Sequence, residues 1–243
     1  MNFYALIIGT EILNARREDK HFMFVRDELK KYGHELYASF IIKDDKELMQ
    51  KSYELIKNDK NAVMFSFGGI GSTPDDLTRE IASKVFTSKP LVRNKKFEQN
   101  IIERFGSDAY PYRINMADLP QDAKLIHNPI NNMSGFSLQD KFFFVPGFPN
   151  MSHPMISNII AKYFSSSQKK YRYTLIANTS ENTLISIMHK VPSHVELSSL
   201  PMFKDSKPLV ELSLSGKNKE DVKKYFNLFC KELDTKKIIY SLT

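Results

Sequence analysis

Cysteine is nearly missing from this chain: Cys230 is the only one in 243 residues. That excludes an intrachain disulfide and any zinc or iron–sulfur centre built from several cysteines. Cys230 itself falls in Val222-x-x-x-Phe226-x-x-Phe229-Cys230-x-x-Leu233, an apolar stripe at helical spacing, and reads as packing rather than as a nucleophile. Long apolar runs are also lacking. The longest uncharged stretch, Phe142 to Ala161, is broken by Pro146, Pro149 and Pro154, which argues against a membrane span. The first eight residues have no basic flank and no cleavage site, so a signal peptide is not expected and a cytoplasmic location is. There is no basic run either. The net charge is +7, but its lysines are scattered, which gives a weak general attraction for anions. After residue 150 the only glycine is Gly216, so neither the GXXG loop of a KH domain nor the glycine-aromatic strand motif of an RRM can be present. No nucleic-acid partner is expected. None of the six histidines pairs with another at metal-ligand spacing on a helix. Ser72 lacks the G-x-S-x-G context of an acyl-transfer nucleophile.

What is present is an ordinary globular composition, 42% hydrophobic and 26% charged, with enough length for a sizeable core. Apolar runs of strand length occur at 3–8, 34–42 and 62–67. Helical spacing predicts helices over 16–31, 47–56, 75–86, 97–105 and 152–164. Residues 111–122 read as loop, 124–127 as a short strand, and 134–138 with 141–145 as a hairpin. Early strands that are apolar on both faces, alternating with helices, predict an α/β fold: a mostly parallel sheet in a three-layer αβα arrangement. This domain is expected over 1–165. Ser165 to Lys170 reads as a linker. Strands at 171–177, 195–200, 209–215 and 238–240, with helices at 181–189 and 218–233, predict a small α+β domain over 171–243, suited to packing or dimerisation.

Ligands of parallel sheets bind at the carboxyl ends of strands. Gly9-Thr10-Glu11, Asp44-Asp45, the stretch from Gly68 to Asp76, and Pro146-Gly147 all follow expected strands. The chemistry concentrates in Gly68-Gly-Ile-Gly-Ser-Thr-Pro-Asp-Asp-Leu-Thr-Arg-Glu80. Glycines there allow close approach of backbone N–H groups to a phosphate. The third Rossmann glycine and the Walker A lysine are both missing. Two readings of the acidic pair stand open. Thr73 as N-cap, Pro74 at N1, and Asp75 and Asp76 at N2 and N3 would make a helix start. Alternatively, Asp76, Asp75, Asp44 and Glu11 would hold a divalent cation such as Mg²⁺ against substrate phosphates.

The same block resembles the N-terminal domain of the CinA (competence/damage-inducible protein A) family, of the wider MoaB/Mog-like fold. Ile8-Gly-Thr-Glu-Ile-Leu-Asn14 is similar to that family's first-strand motif. Asp44-Asp45 is similar to its acidic pair, and Asn128-Pro129, Ser134-Gly135-Phe136 and Pro146-Gly-x-Pro149 to later landmarks. Ser72, Asn131-Asn132-Met133 and Asn150 depart from the usual residues, which bears on the ligand rather than on the fold. The resemblance implies a site for a pyrophosphate-bearing nucleotide or a pterin. Gly9, Thr10, Gly68, Gly69, Gly71, Ser72, Thr73, Asn128, Ser134, Gly135, Pro146 and Gly147 are its expected binding residues, and Asp76, Asp44 and Glu11 its catalytic ones. The activity implied is metal-dependent hydrolysis of ADP-ribose or a flavin dinucleotide. The alternative is phosphate-ligand binding without turnover. A divalent metal is the expected cofactor, and a monovalent cation is admitted beside it. A homo-oligomer is expected. The amidohydrolase domain of long family members is not, since the sequence stops at Thr243.

Overall fold

The computed structural model describes residues 1–165 and 170–243. The first strand, β1 (Asn2–Ile8), sets the architecture. Successive side chains of a strand point to opposite faces. Tyr4, Leu6 and Ile8 therefore enter one buried cluster, while Phe3, Ala5 and Ile7 enter another. Such a strand has no polar face and must be covered on both sides.

A single turn, α1 (Thr10–Leu13), precedes α2 (His21–Lys31). Then come β2 (Leu36–Ile42), α3 (Lys46–Asn58) and β3 (Ala62–Phe67). Asp45 caps α3 by accepting from the Leu48 N–H. Next, α4 (Thr78–Ala82) runs on into a wide π-type turn over Ser83–Thr87. It is followed by β4 (Leu91–Arg93), α5 (Lys95–Phe105), a 3-10 turn over Arg113–Ala117 and β5 (Asp118–Pro120). The unit closes with β6 (Lys124–Ile126), β7 (Gly135–Leu138), β8 (Phe142–Val145) and α6 (Pro149–Tyr163).

The main sheet has the order β2-β1-β3-β8-β7-β6. The pairs β1/β2, β1/β3 and β3/β8 are parallel, and the β6-β7-β8 meander is antiparallel. The α3, α4 and α5 helices cover one face, and α2 and α6 the other. This is the expected mostly parallel, three-layer αβα arrangement. Because β1, β2, β3 and β8 run the same way, their carboxyl ends share one edge of the sheet.

Three local expectations need correction. Strand β2 lies at the sheet edge, so Tyr37 is 65% exposed rather than buried on both faces. Residues 118–120, read as loop, pair with the unforeseen β4 as a separate ribbon. The helix expected from Asp75 begins only at Thr78.

Backbone contacts divide the chain into two compact units, Met1–Ser167 and Gln168–Thr243. The expected linker lies, apart from its two ends, outside the described residues. In the second unit, β9 (Tyr171–Ala177), β10 (Glu196–Lys204), β11 (Lys207–Gly216) and β12 (Tyr240–Leu242) form an antiparallel sheet ordered β10-β11-β9-β12. The helix expected at 181–189 is a 3-10 turn followed by a short α7 (Ile185–Met188), and α8 (Lys219–Thr235) is the long helix. They share one apolar core with the sheet through Leu184, Ile187, Val222, Phe226, Phe229 and Leu233. Among the described residues no helix is long and apolar enough to cross a membrane.

Candidate functional site

A cavity of about 600 Å³ opens at the carboxyl ends of the parallel strands. Of the expected residues, Glu11, Asp44, Gly68, Gly69, Gly71, Ser72, Thr73, Asp75, Asp76, Ser134, Pro146 and Gly147 line it. Gly9, Thr10, Asn128 and Gly135 do not. Gly9 is buried at the end of β1, donating to the carbonyl of Ile42. Thr10 spends both its N–H and its hydroxyl on Asp44 Oδ2, each at 2.8 Å. Asn128 is fully buried and staples its own loop, bonding Asn131, Met133 and the Ile130 N–H. Gly135 lies inside β7, against the Phe144 carbonyl.

The glycine loop is shaped by two backbone constraints. Gly68 (φ 98°) and Gly69 (φ 66°) occupy left-handed conformations that glycine alone adopts without strain. A Cβ on Gly68 would sit 2.5 Å from the Ile8 carbonyl, so the loop passes directly over the end of β1. Beneath the loop lies Arg79, 9% exposed. Its Nη1 donates to the Ile70 carbonyl at 2.5 Å and to the Gly71 carbonyl. In a planar trans peptide the next N–H points opposite to the carbonyl. The N–H groups of Gly71 and Ser72 are thereby turned away from Arg79. The N–H groups of Gly69, Ile70, Gly71 and Ser72 have no acceptor among the described residues. Successive unsatisfied backbone donors form a concavity suited to an anion.

The acidic residues are arranged as two matched latches. Asp76 Oδ2 accepts from the Thr73 N–H at 2.8 Å and its hydroxyl at 2.7 Å, just as Asp44 Oδ2 does from Thr10. Oδ1 of each accepts no hydrogen bond from the described residues. The helix-start reading is corrected here. Thr73 and Asp76 form a closed turn ahead of α4, whose first residue is Thr78, so Asp75 and Asp76 are not in its first turn. Thr78 instead donates its hydroxyl to the Gly68 carbonyl at 2.9 Å, which ties the helix start to the loop. Glu11 pairs with Arg17 at 3.5 Å.

Among the described residues no group of three or more His, Cys, Asp or Glu is gathered closely enough to hold a metal ion. The acidic residues therefore do not build an all-protein cage. They fit a cation that takes one or two carboxylates, through the unspent Oδ1 atoms, and fills its shell with phosphate oxygens and water.

Sequence reasoning missed the cationic part of the site. Arg17, Arg104 and Arg113 line the cavity. They come from loop, helix and turn positions with no shared motif, so only the folded chain brings them together. Arg79 falls inside the block from Gly68 to Glu80, but nothing in its spacing marks it as a support for the loop. His21 is also hidden in sequence. Buried at 3% exposure, it contacts the Gly147 carbonyl through Nε2 at 3.2 Å and His153 through Nδ1 at 3.3 Å. Burial pushes the pKa of His21 down. Burial and the neighbouring His21 hold His153 down to about 4.

Residues 4–166 match the family model described as "Probable molybdopterin binding domain". The chain belongs to that family. Curated relatives are named CinA-like protein or putative competence-damage inducible protein. It is 25% identical over 224 residues to a CinA-like protein of Fusobacterium nucleatum, covering 90% of this chain and 55% of the relative. It is 27% identical over 252 residues to a CinA-like protein of Desulfotalea psychrophila, covering 97% of this chain and 59% of the relative. The chain thus spans little more than half the length of these relatives. Among solved structures, the CinA protein of unknown function from Thermoplasma acidophilum superimposes with a TM-score of 0.60 at 24% identity. That match covers 67% of this chain and 98% of that one, and it supports the fold. The molybdopterin-binding-type domain of this CinA-like chain is the unit that carries the cavity.

Proposed function

We propose that the cavity of this CinA-like chain binds a phosphorylated pterin or nucleotide, with a phosphate seated on the glycine loop. One observation carries the reading: the N–H groups of Gly69, Ile70, Gly71 and Ser72 have no acceptor among the described residues, and all four residues line the cavity. A cavity of this size suits a ligand of nucleotide dimensions. The test is calorimetry with ADP-ribose, FAD and a phosphorylated pterin. Saturable binding of at least one supports the reading. No heat from any of them rejects it.

A second reading, cleavage of a nucleotide pyrophosphate such as ADP-ribose or FAD, is favoured by the two Thr–Asp latches. Each fixes a carboxylate on the cavity wall and leaves one oxygen unspent. Asp76 and Asp44 are the residues that would hold a divalent cation there. A bound cation would neutralise phosphoryl charge and lower the pKa of a coordinated water. In this reading Thr10 and Thr73 orient the carboxylates rather than touch the phosphate, and Glu11, paired with Arg17, lines the cavity. Release of AMP from ADP-ribose or FAD in the presence of Mg²⁺ or Mn²⁺ tests it. Binding without product leaves the chain a binder only. A homo-oligomer is the assembly we propose, to be checked by light scattering.

A further inference from the structure

We infer that Arg104 and Arg113 form a second anion subsite of the cavity, for a phosphoryl group other than the one on the glycine loop. This rests on the cavity being a phosphate-ligand site.

Arg104 lies near the end of α5, and Arg113 opens the 3-10 turn over Arg113–Ala117. Both line the cavity. Their guanidinium carbons lie 5.4 and 4.8 Å from the centroid of the Phe105 ring. Each is anchored to a backbone carbonyl through one nitrogen: Arg104 Nη1 to Asn131 at 3.2 Å, and Arg113 Nη1 to Asp108 at 2.8 Å. Both groups are therefore held in place while most of their five N–H donors stay unspent.

Neither has a carboxylate partner among the described residues. Arg17, Arg26 and Arg93 do: Arg17 is matched to Glu11, Arg26 to Asp27, and Arg93 to Asp118 and Glu98. None of the four acids that line the cavity, Glu11, Asp44, Asp75 and Asp76, forms an ion pair with either arginine: Glu11 is matched to Arg17, and Asp44 and Asp76 take their bonds from Thr10 and Thr73. Two pre-positioned guanidiniums, stacked on an aromatic ring beside Met116 and Met133, suit the forked recognition of a phosphoryl group. A surface role alone, shielding Phe105 from water, would not require both forks to border the cavity.

The ligand class that satisfies both subsites is a diphosphate or bisphosphate, rather than a monophosphate. Calorimetry at about 0.1 M salt with EDTA present, comparing AMP with ADP and adenosine 3′,5′-bisphosphate, tests this. We expect at least one doubly phosphorylated nucleotide to bind about tenfold more tightly than AMP, a difference of about 1.4 kcal/mol. In an R104Q/R113Q double variant that preference should fall to about twofold or less, because the doubly phosphorylated ligands weaken more than AMP does. Arg113→Lys, which keeps the charge but loses the fork, should retain only part of it. The inference is overturned if the unmodified protein shows no preference, or if the double variant keeps it. It is also overturned if AMP and the doubly phosphorylated ligands weaken equally, since that marks a structural role. Absence of binding by all three nucleotides overturns it together with the reading on which it rests.

Discussion

Replacing Arg79 by methionine should loosen the glycine loop and weaken ligand binding together. The guanidinium makes two hydrogen bonds to the Ile70 and Gly71 carbonyls. Bonds to a charged group contribute about 1.5–3 kcal/mol each, so their loss removes about 3–6 kcal/mol. Two effects offset part of this. The charge is held away from water, and that burial pushes the pKa of Arg79 down. In addition, Nε is buried with no partner, a cost of about 1–3 kcal/mol that the variant recovers. A methionine side chain fills a similar volume without either burden. The net loss should be about 2–4 kcal/mol. With a urea m-value of about 2 kcal/mol/M, the unfolding midpoint should fall by about 1–2 M. Freed carbonyls also release the orientation of the Gly71 and Ser72 N–H groups, so affinity for a phosphate ligand should fall about tenfold or more. Arg79→Lys should be intermediate, because an ammonium cannot serve two carbonyls as a fixed planar fork does. A methionine variant with an unfolding midpoint within about 0.2 M of the parent and unchanged affinity would refute the reasoning.

Gly68→Ala forces a left-handed alanine and places its Cβ 2.5 Å from the Ile8 carbonyl. The two effects, about 1–2 kcal/mol from the conformation and about 1–3 from the clash, should sum in urea denaturation to a loss of about 2–5 kcal/mol. Asp76→Asn keeps an oxygen able to accept from Thr73, so stability should change by less than about 1 kcal/mol. Metal-dependent AMP release should vanish all the same, and a variant that still releases AMP counts against the cleavage reading. His153 has a folded pKa of about 4, below its ordinary 6.5. The unfolded chain therefore takes up the proton first. Stability should be full above pH 6.5 and decline as the pH falls toward 4. Denaturation at pH 7.5 and pH 5 should show this, and His153→Phe should flatten the difference; an equal slope in both proteins rejects the assignment.

The layered fold was legible because its signals are local and strong. Ala62 to Phe67 is an apolar run bounded by Asn61 and Gly68, and its strand has those limits. The 134–145 hairpin was equally plain. Where expectation failed, the local signal admitted two outcomes or the deciding partner lay elsewhere in the fold. Thr73-Pro-Asp-Asp has the composition of a helix start, but Asp76 reaches back to Thr73 and closes a turn instead. Residues 118–120 look irregular because their partner β4 is a three-residue strand over 91–93, too short to leave a pattern. Strand β2 carries nearly the same apolar content as β1, and only its place at the sheet edge exposes it.

The electrostatics of the site were the least legible part, and the reason is general. Sequence shows acids beside glycines at adjacent positions, whereas Arg17, Arg104 and Arg113 reach the cavity from distant ones. Arg79 differs, because it stands within the block itself. It follows Asp76 by three residues, and the attraction of Asp76 favours its charged form against the cost of burial. From beneath the loop it draws two carbonyls inward. Peptide planarity then turns the N–H groups of Gly71 and Ser72 away from it. Part of the positive charge needed to reconcile carboxylates with a phosphate is thus carried by the chain itself. A divalent cation at Asp44 and Asp76 would act beside that charge, so phosphate binding should persist in EDTA while cleavage should not.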